Sequence, residues 1–198
     1  GRMSLPAARP PAGSYFDPAL GTQAIRLLPA DYMATDAPVA LVTLLGSCVA
    51  ACLYDPALQL GGMNHFMLPG GDVTDDTSAR YGVNAMELLI NDLLKRGARR
   101  QRLQAKVFGG GNVLSGFHSD PIGTRNASFV QAYLAAEGIP VVASDLGDNQ
   151  ARKVCFFVQS GRSLVKRLPA TRDGVVDAER ALYGRLARAP AAGTVELF

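Results

Sequence analysis

Apolar positions recur along this chain in three ways, and each predicts a different kind of element. From Ala37 to Tyr54 no charged residue occurs across 18 positions. Pro38, Thr43, Gly46 and Ser47 interrupt that run, and Asp36 and Asp55 bound it without a cationic anchor, so it predicts buried strands rather than a membrane span. A 3.6-residue period appears next: Thr77 or Ser78 is placed to cap a helix whose apolar positions are Val83, Met86, Leu89, Ile90, Leu93 and Leu94, ending at Gly97. Ala127, Val130 and Leu134 mark a second helix closed by Gly138. Short strand-like runs fill the rest: Gln104 to Phe108 entering Gly109-Gly110-Gly111, Ile139 to Ala143, and Lys153 to Gln159 with Ser163 to Arg167 as a hairpin turning at Ser160-Gly161. Val175 to Leu186 has helical composition and carries Arg180 and Arg185, ahead of Pro190 and Gly193. Together these elements predict an α+β protein of mixed sheets with outer helices.

The ends add little to a core. Gly1-Arg2 reads as a processed end or an expression scar. Pro6, Pro10 and Pro11 among alanines predict a flexible arm over residues 1–14, with one domain over 15–198, of which 175–198 form a terminal helix and tail. At 198 residues, 48% hydrophobic and 19% charged, the chain can bury one sizeable core and is too apolar for a coil. Its net charge of +3 lacks the basic stripe that phosphate backbones demand, which argues against nucleic acid. Three cysteines, Cys48, Cys52 and Cys155, fit reduced thiols in a cytoplasmic protein better than a disulfide framework.

Only two histidines exist, His65 and His118, so an imidazole base has a short candidate list. If a four-residue loop, Asp55 to Leu58, closes a hairpin, Tyr54 pairs with Gln59, and counting back sets Cys48 opposite His65 on one face. A neighbouring imidazolium would lower the thiol pKa and supply the thiolate that acts as nucleophile. Gly46 and Ser47, just before it, allow a sharp turn whose N–H groups could meet a developing oxyanion. A buried core thiol beside a hydrogen-bonded strand histidine fits the same residues, and register alone does not choose. Other features carry less. Gly109-Gly110-Gly111-Asn112 lacks P-loop and dinucleotide spacing and reads as a tight turn. Cys52 lacks metal-site spacing, so no metal is expected. His118 sits in a polar loop, and Arg96, Arg99, Arg100 and Arg102 suit a helix C-terminus.

Longer words narrow the choice. Leu45-Gly46-Ser47-Cys48-Val49, followed by the run from Gly61 to Pro69, closely resembles the CheD family of chemotaxis proteins, chemoreceptor glutamine deamidases. The resemblance continues through Ala105 to Gly110, Ile122-Gly123-Thr124-Arg125-Asn126, Asp145-Leu146-Gly147 and Arg152-Lys153-Val154, covering about residues 15–168, and Val195 to Phe198 also looks like proteobacterial members.

That resemblance implies a layered cysteine hydrolase fold shared with deamidating toxins, and a Cys, His and Thr triad carried onto Cys48, His65 and Thr43. It implies hydrolysis of receptor glutamine to glutamate through a thioester, with no cofactor or metal, on the cytoplasmic helices of methyl-accepting chemoreceptors. A CheC-type phosphatase is an implied further partner. Two alternatives stay open: a non-catalytic adaptor for receptor or phosphatase, and receptor methylesterase activity from the same site.

Overall fold

A computed structural model of the chain describes residues 9–70, 74–113, 121–169 and 173–188. Its elements are β1 (Tyr15–Asp17), β2 (Thr22–Arg26), β3 (Tyr32–Thr35), β4 (Val39–Leu45), β5 (Val49–Asp55), β6 (Leu60–Asn64), α1 (Asp75–Lys95), β7 (Gln104–Gly109), α2 (Ile122–Ala136), β8 (Val141–Leu146), β9 (Arg152–Phe157), β10 (Ser163–Arg167) and α3 (Asp173–Arg188). The strands form two five-stranded sheets, β1-β2-β4-β9-β10 and β3-β6-β5-β7-β8. Each is mixed: β2 runs parallel to β4 in the first and β7 parallel to β8 in the second, and the other neighbours are antiparallel. The α+β expectation therefore holds.

The unbroken apolar run is explained by layering. β4 belongs to the first sheet and β5 to the second, and β5 is covered on both faces. Val49, Ala51 and Leu53 of β5 pack with Met86, Leu89, Ile90 and Leu93 of α1 and Val130 and Leu134 of α2. Cys48, Ala50 and Cys52 instead face Leu41, Leu45, Val154 and Phe156 of the first sheet. A strand covered on both sides has no polar face to alternate with.

Two expectations shift. The N-cap of α1 is Thr74, whose hydroxyl accepts from the Thr77 N–H at 3.3 Å, so the helix starts before Thr77. The β5–β6 hairpin pairs Asp55 with Leu60, and Val49 bridges Phe66. The turn thus lies one residue later than predicted, over 56–59, and Cys48 is not directly opposite His65. The buried Asp55 carboxylate decides this. It accepts the N–H groups of Ala57 (3.1 Å) and Arg99 (3.1 Å) and the Arg102 guanidinium (2.8 Å), which holds it in the strand and draws Leu60 into the core. The Arg102 hydrogen bonds also hold the Asp55 carboxyl below its ordinary pKa. Moving the turn by one residue moves the register by two, so parity survives and Cys48 and His65 still share a face.

The arginine cluster is structural: Arg96 pairs with Asp92, Arg100 with Glu137 and Arg102 with Asp55. No helix among the described residues is long and apolar enough to cross a membrane. His118, residues 1–8 of the predicted arm and Val195 to Phe198 lie outside the described residues.

Candidate active site

The chain must cross from one sheet to the other between β4 and β5, and Gly46, Ser47 and Cys48 make that crossing. Their three carbonyls are tied down on one side. Gly46 O accepts from Gly111 N at 2.9 Å, Ser47 O from Asn126 Nδ2 at 2.8 Å, and Cys48 O from Gly110 N at 2.9 Å. Asn126 is fully buried and its Oδ1 accepts from Leu68 N at 2.9 Å, which links this corner to the chain beyond β6. Gly109 has φ +101°, and a Cβ there would collide with the Cys48 carbonyl oxygen, so only glycine fits. The glycine run is the tight turn that was expected, and the N–H groups of Gly110 and Gly111 are spent on the corner.

With the carbonyls held on one side, the N–H groups face the other, where they converge on one carboxylate. Glu179 of α3 accepts from Gly46 N (2.7 Å) and Cys48 N (3.0 Å) on Oε1, and from Ser47 N (2.5 Å) and Ser47 Oγ (2.8 Å) on Oε2. Converging donors of this kind bind a negatively charged oxygen, as acyl-transfer chemistry requires. Gly46 and Ser47, singled out as oxyanion candidates, both contribute, and the Cys48 N–H joins them.

Thr43 lies on the inner face of β4 and His65 just past β6, so the space between the sheets brings them together. Thr43 Oγ1 lies 2.7 Å from His65 Nδ1 and donates its hydrogen to Leu27 O at 2.8 Å. A hydroxyl has one hydrogen. It is committed to Leu27, so Thr43 accepts from His65 Nδ1–H, and the imidazole carries its proton on Nδ1. Nε2 is then a bare lone pair, and this buried atom has no hydrogen-bond partner among the described residues. The Cys48 sulfur, a His65 ring nitrogen and a Glu179 oxygen lie within 4.8 Å of one another.

Such a trio is also a conceivable metal site. However, Glu179 faces four N–H and O–H donors, an environment that favours an anion over a cation. Burial lowers the His65 pKa to about 3, so the ring is neutral at pH 7. Burial first, and then the Glu179 charge and hydrogen bond, push the Cys48 thiol well above its ordinary value. That corrects the expected lowered thiol: in this arrangement the pair is thiol and imidazole, because a neutral ring supplies no stabilising cation and a carboxylate stands close by. Burial raises Cys52 and Cys155 too.

A family model described as CheD chemotactic sensory transduction matches residues 67–167. The chain is 58% identical over 185 residues to the probable chemoreceptor glutamine deamidase CheD of Xanthomonas campestris pv. campestris (strain B100), covering 93% of each chain. It is 52% identical to the probable chemoreceptor glutamine deamidase CheD 2 of Burkholderia thailandensis, covering 93% of this chain and 97% of that one. This chain belongs to the CheD family. A solved structure, the Bacillus licheniformis hypothetical protein YfiH, is similar over 58% of this chain and 50% of that one, at 17% identity and a TM-score of 0.40.

Within this CheD chain, the matched segment holds the supports of the corner rather than the corner itself: Gly109 to Gly111, Asn126 and Arg152. Arg152 is fully buried and donates to the carbonyls of Gly109 (3.2 Å), Gln150 (3.2 Å) and Gly147 (2.6 Å), bracing the glycine turn. Sequence reasoning missed two site residues. Asn126 stood inside a quoted motif, and its polar side chain among apolar helix positions was the signal that could have found it. Glu179 carried no signal beyond being an acid in an amphipathic helix.

Proposed function

We propose that this CheD protein hydrolyses glutamine side chains of chemoreceptors to glutamate, with Cys48 as nucleophile, His65 as general acid and base, and Thr43 as the residue that orients the imidazole. The observation that carries the reading is a glutamate side chain held on the N–H groups of Gly46, Ser47 and Cys48, beside a thiol and a bare imidazole nitrogen. That is the side chain the reaction would produce. The names of the relatives supply the receptor, and the site would work on the receptors' cytoplasmic helices.

In this mechanism His65 Nε2 takes the Cys48 proton as sulfur attacks the glutamine carboxamide carbon. The carbonyl oxygen becomes an oxyanion on the corner N–H groups. His65 returns the proton to the departing nitrogen, ammonia leaves, and a thioester remains on Cys48. Water deprotonated by His65 then hydrolyses the thioester, giving glutamate and the free thiol. Thr43 keeps Nε2 directed at the sulfur throughout, because its hydrogen is committed to Leu27.

The test is peptide mass spectrometry of a chemoreceptor cytoplasmic fragment, expressed without other deamidases and incubated with wild type or Cys48→Ala. A gain of about 1 Da at defined glutamines is expected with wild type alone. Receptor binding with no gain from either protein would sink the enzyme reading in favour of an adaptor.

A further inference from the structure

The described site is closed. Cys48 is 0%, His65 1% and Glu179 1% exposed, so no side chain of a second protein reaches the sulfur in this arrangement. Among the described residues, α3 lies over it, with a Glu179 oxygen within 4.8 Å of the sulfur. Besides Glu179, the helix buries Val175, Leu182 and Tyr183, with Leu182 and Tyr183 entering the core between the sheets and Val175 packing near Leu44. The helix does not fill the groove it lies along. A cavity of about 390 Å³, lined by Leu27, Pro29, Leu44, His65, Val175 and Ala178, runs beneath it to the imidazole.

A carboxylate used only to anchor a helix could meet an arginine or a turn anywhere along the sheet edge. Glu179 instead takes the corner's donors, all three N–H groups and the Ser47 hydroxyl. Its side chain has the length of glutamine and the composition of the hydrolysis product, and it is presented from a helix. We propose that α3 is an internal stand-in for the substrate helix: Glu179 occupies the product position, and a receptor helix must displace α3 before Cys48 can react. This rests on the deamidase reading above and adds to it a substrate geometry and a built-in restraint.

The geometry follows from the buried positions of α3. Residues four before and three and four after Glu179, namely Val175, Leu182 and Tyr183, form one face with it. A matching receptor helix carries its target glutamine on such a face, with apolar or small side chains at those spacings and charges elsewhere. Competition for one groove makes α3 release and substrate docking a single exchange. The raised Cys48 thiol agrees with a resting state, since removing the carboxylate removes two of its causes.

The experiment uses the full chain. Iodoacetamide labelling, mapped to Cys48 by peptide mass, is compared in wild type, Glu179→Ala and Leu182→Ala, with circular dichroism confirming that each is folded. Both variants should label at least about tenfold faster than wild type, one by vacating the donors and the other by loosening the helix. Equal labelling in all three folded proteins overturns the proposal.

Glu179→Gln adds a second readout. Its carboxamide oxygen can keep the Gly46 and Cys48 N–H groups while its NH2 donates to the Ser47 hydroxyl, at the loss of the Ser47 N–H bond; there Cys48 sulfur bonds to Cδ, the C–N bond breaks, ammonia leaves with the proton passed through His65, and water regenerates the thiol and a carboxylate. That variant, incubated without receptor, should gain about 1 Da at position 179 and should not do so with Cys48→Ala added. Glutamine persisting at 179 overturns the product-position assignment. Self-conversion without receptor conversion would sink the receptor reading and leave the assignment of α3 standing, so the two failures are distinguishable.

Discussion

The corner that carries Cys48 and the helix that covers it meet on the same four hydrogen bonds, yet they are held in opposite ways. The corner is fixed mainly by backbone. Its carbonyls bond to Gly110, Gly111 and Asn126, and behind them Gly109 sits in a conformation that side chains resist, braced by buried Arg152. The helix is held through side chains, among them the Glu179 carboxylate on the corner and Val175, Leu182 and Tyr183 in the core. Backbone contacts admit no alternative packing without breaking the turn. Side-chain contacts can be exchanged for those of another helix with the same pattern. The difference separates what must stay constant through turnover from what can move.

Substitutions can break that comparison, and the most damaging should fall on the corner. Gly109→Ala forces a side chain into the left-handed region against the Cys48 carbonyl and should cost about 3 kcal/mol or more in urea unfolding. A loss below about 1 kcal/mol would mean that the corner is not rigid. Asn126→Ala leaves buried Ser47 O and Leu68 N without partners and should cost about 2–4 kcal/mol, and Asn126→Asp should cost no less, because it keeps the Leu68 bond but sets a buried carboxylate against the Ser47 carbonyl oxygen.

Thr43→Val should cost about 1–3 kcal/mol, because Leu27 O and His65 Nδ1–H lose their partner, and should lower kcat about tenfold to a hundredfold in the folded protein, with Thr43→Ser near wild type in both, because only the hydroxyl fixes the His65 tautomer. Equal kcat in Thr43→Val would remove the threonine from the site.

Acid should act through the same half of the site. His65 titrates near 6.5 when unfolded and near 3 when folded. The unfolded chain therefore binds the extra proton between those values, and the stability held above pH 6.5 is lost as pH falls toward 3. Unfolding free energy should drop by up to about 1.4 kcal/mol per pH unit across pH 6 to 4.5. His65→Gln should flatten that slope; an unchanged slope would assign it to other groups. On the removable side, Val175→Ala should cost only about 1 kcal/mol, a small effect that sharpens the contrast with Gly109.

Much of the fold was legible because its signals are local. The period of Met86, Leu89, Ile90 and Leu93 marks the buried face of α1, and Gly97 and Gly138 follow their helices with positive φ, as predicted. The hairpin between β5 and β6 was legible in its parity and not in its register. Its turn is set by Asp55 finding Arg99 and Arg102, residues 44 and 47 positions away, and no window around the turn contains them. Cys48, His65 and Thr43 could be nominated from residue type and from the motifs of the CheD resemblance.

The oxyanion donors could only be guessed, because a backbone N–H has no signature in the residue that bears it. Glu179 was illegible for a related reason. It lies 131 residues from Cys48, in a helix whose acids and arginines read as a solvated face.

By itself, then, the sequence determined the strands and helices from β4 onward but not β1 to β3, together with the sheet-and-helix class, the thiol and imidazole available for chemistry, and the family. These depend on near neighbours along the chain and on motifs that survive as words. Tertiary structure decided which way the corner's N–H groups point, which nitrogen of His65 carries the proton, and what lies over the sulfur. Each of those depends on groups from both sheets and a late helix arriving at one place, and that convergence is set by how buried polar groups find partners when the layers pack.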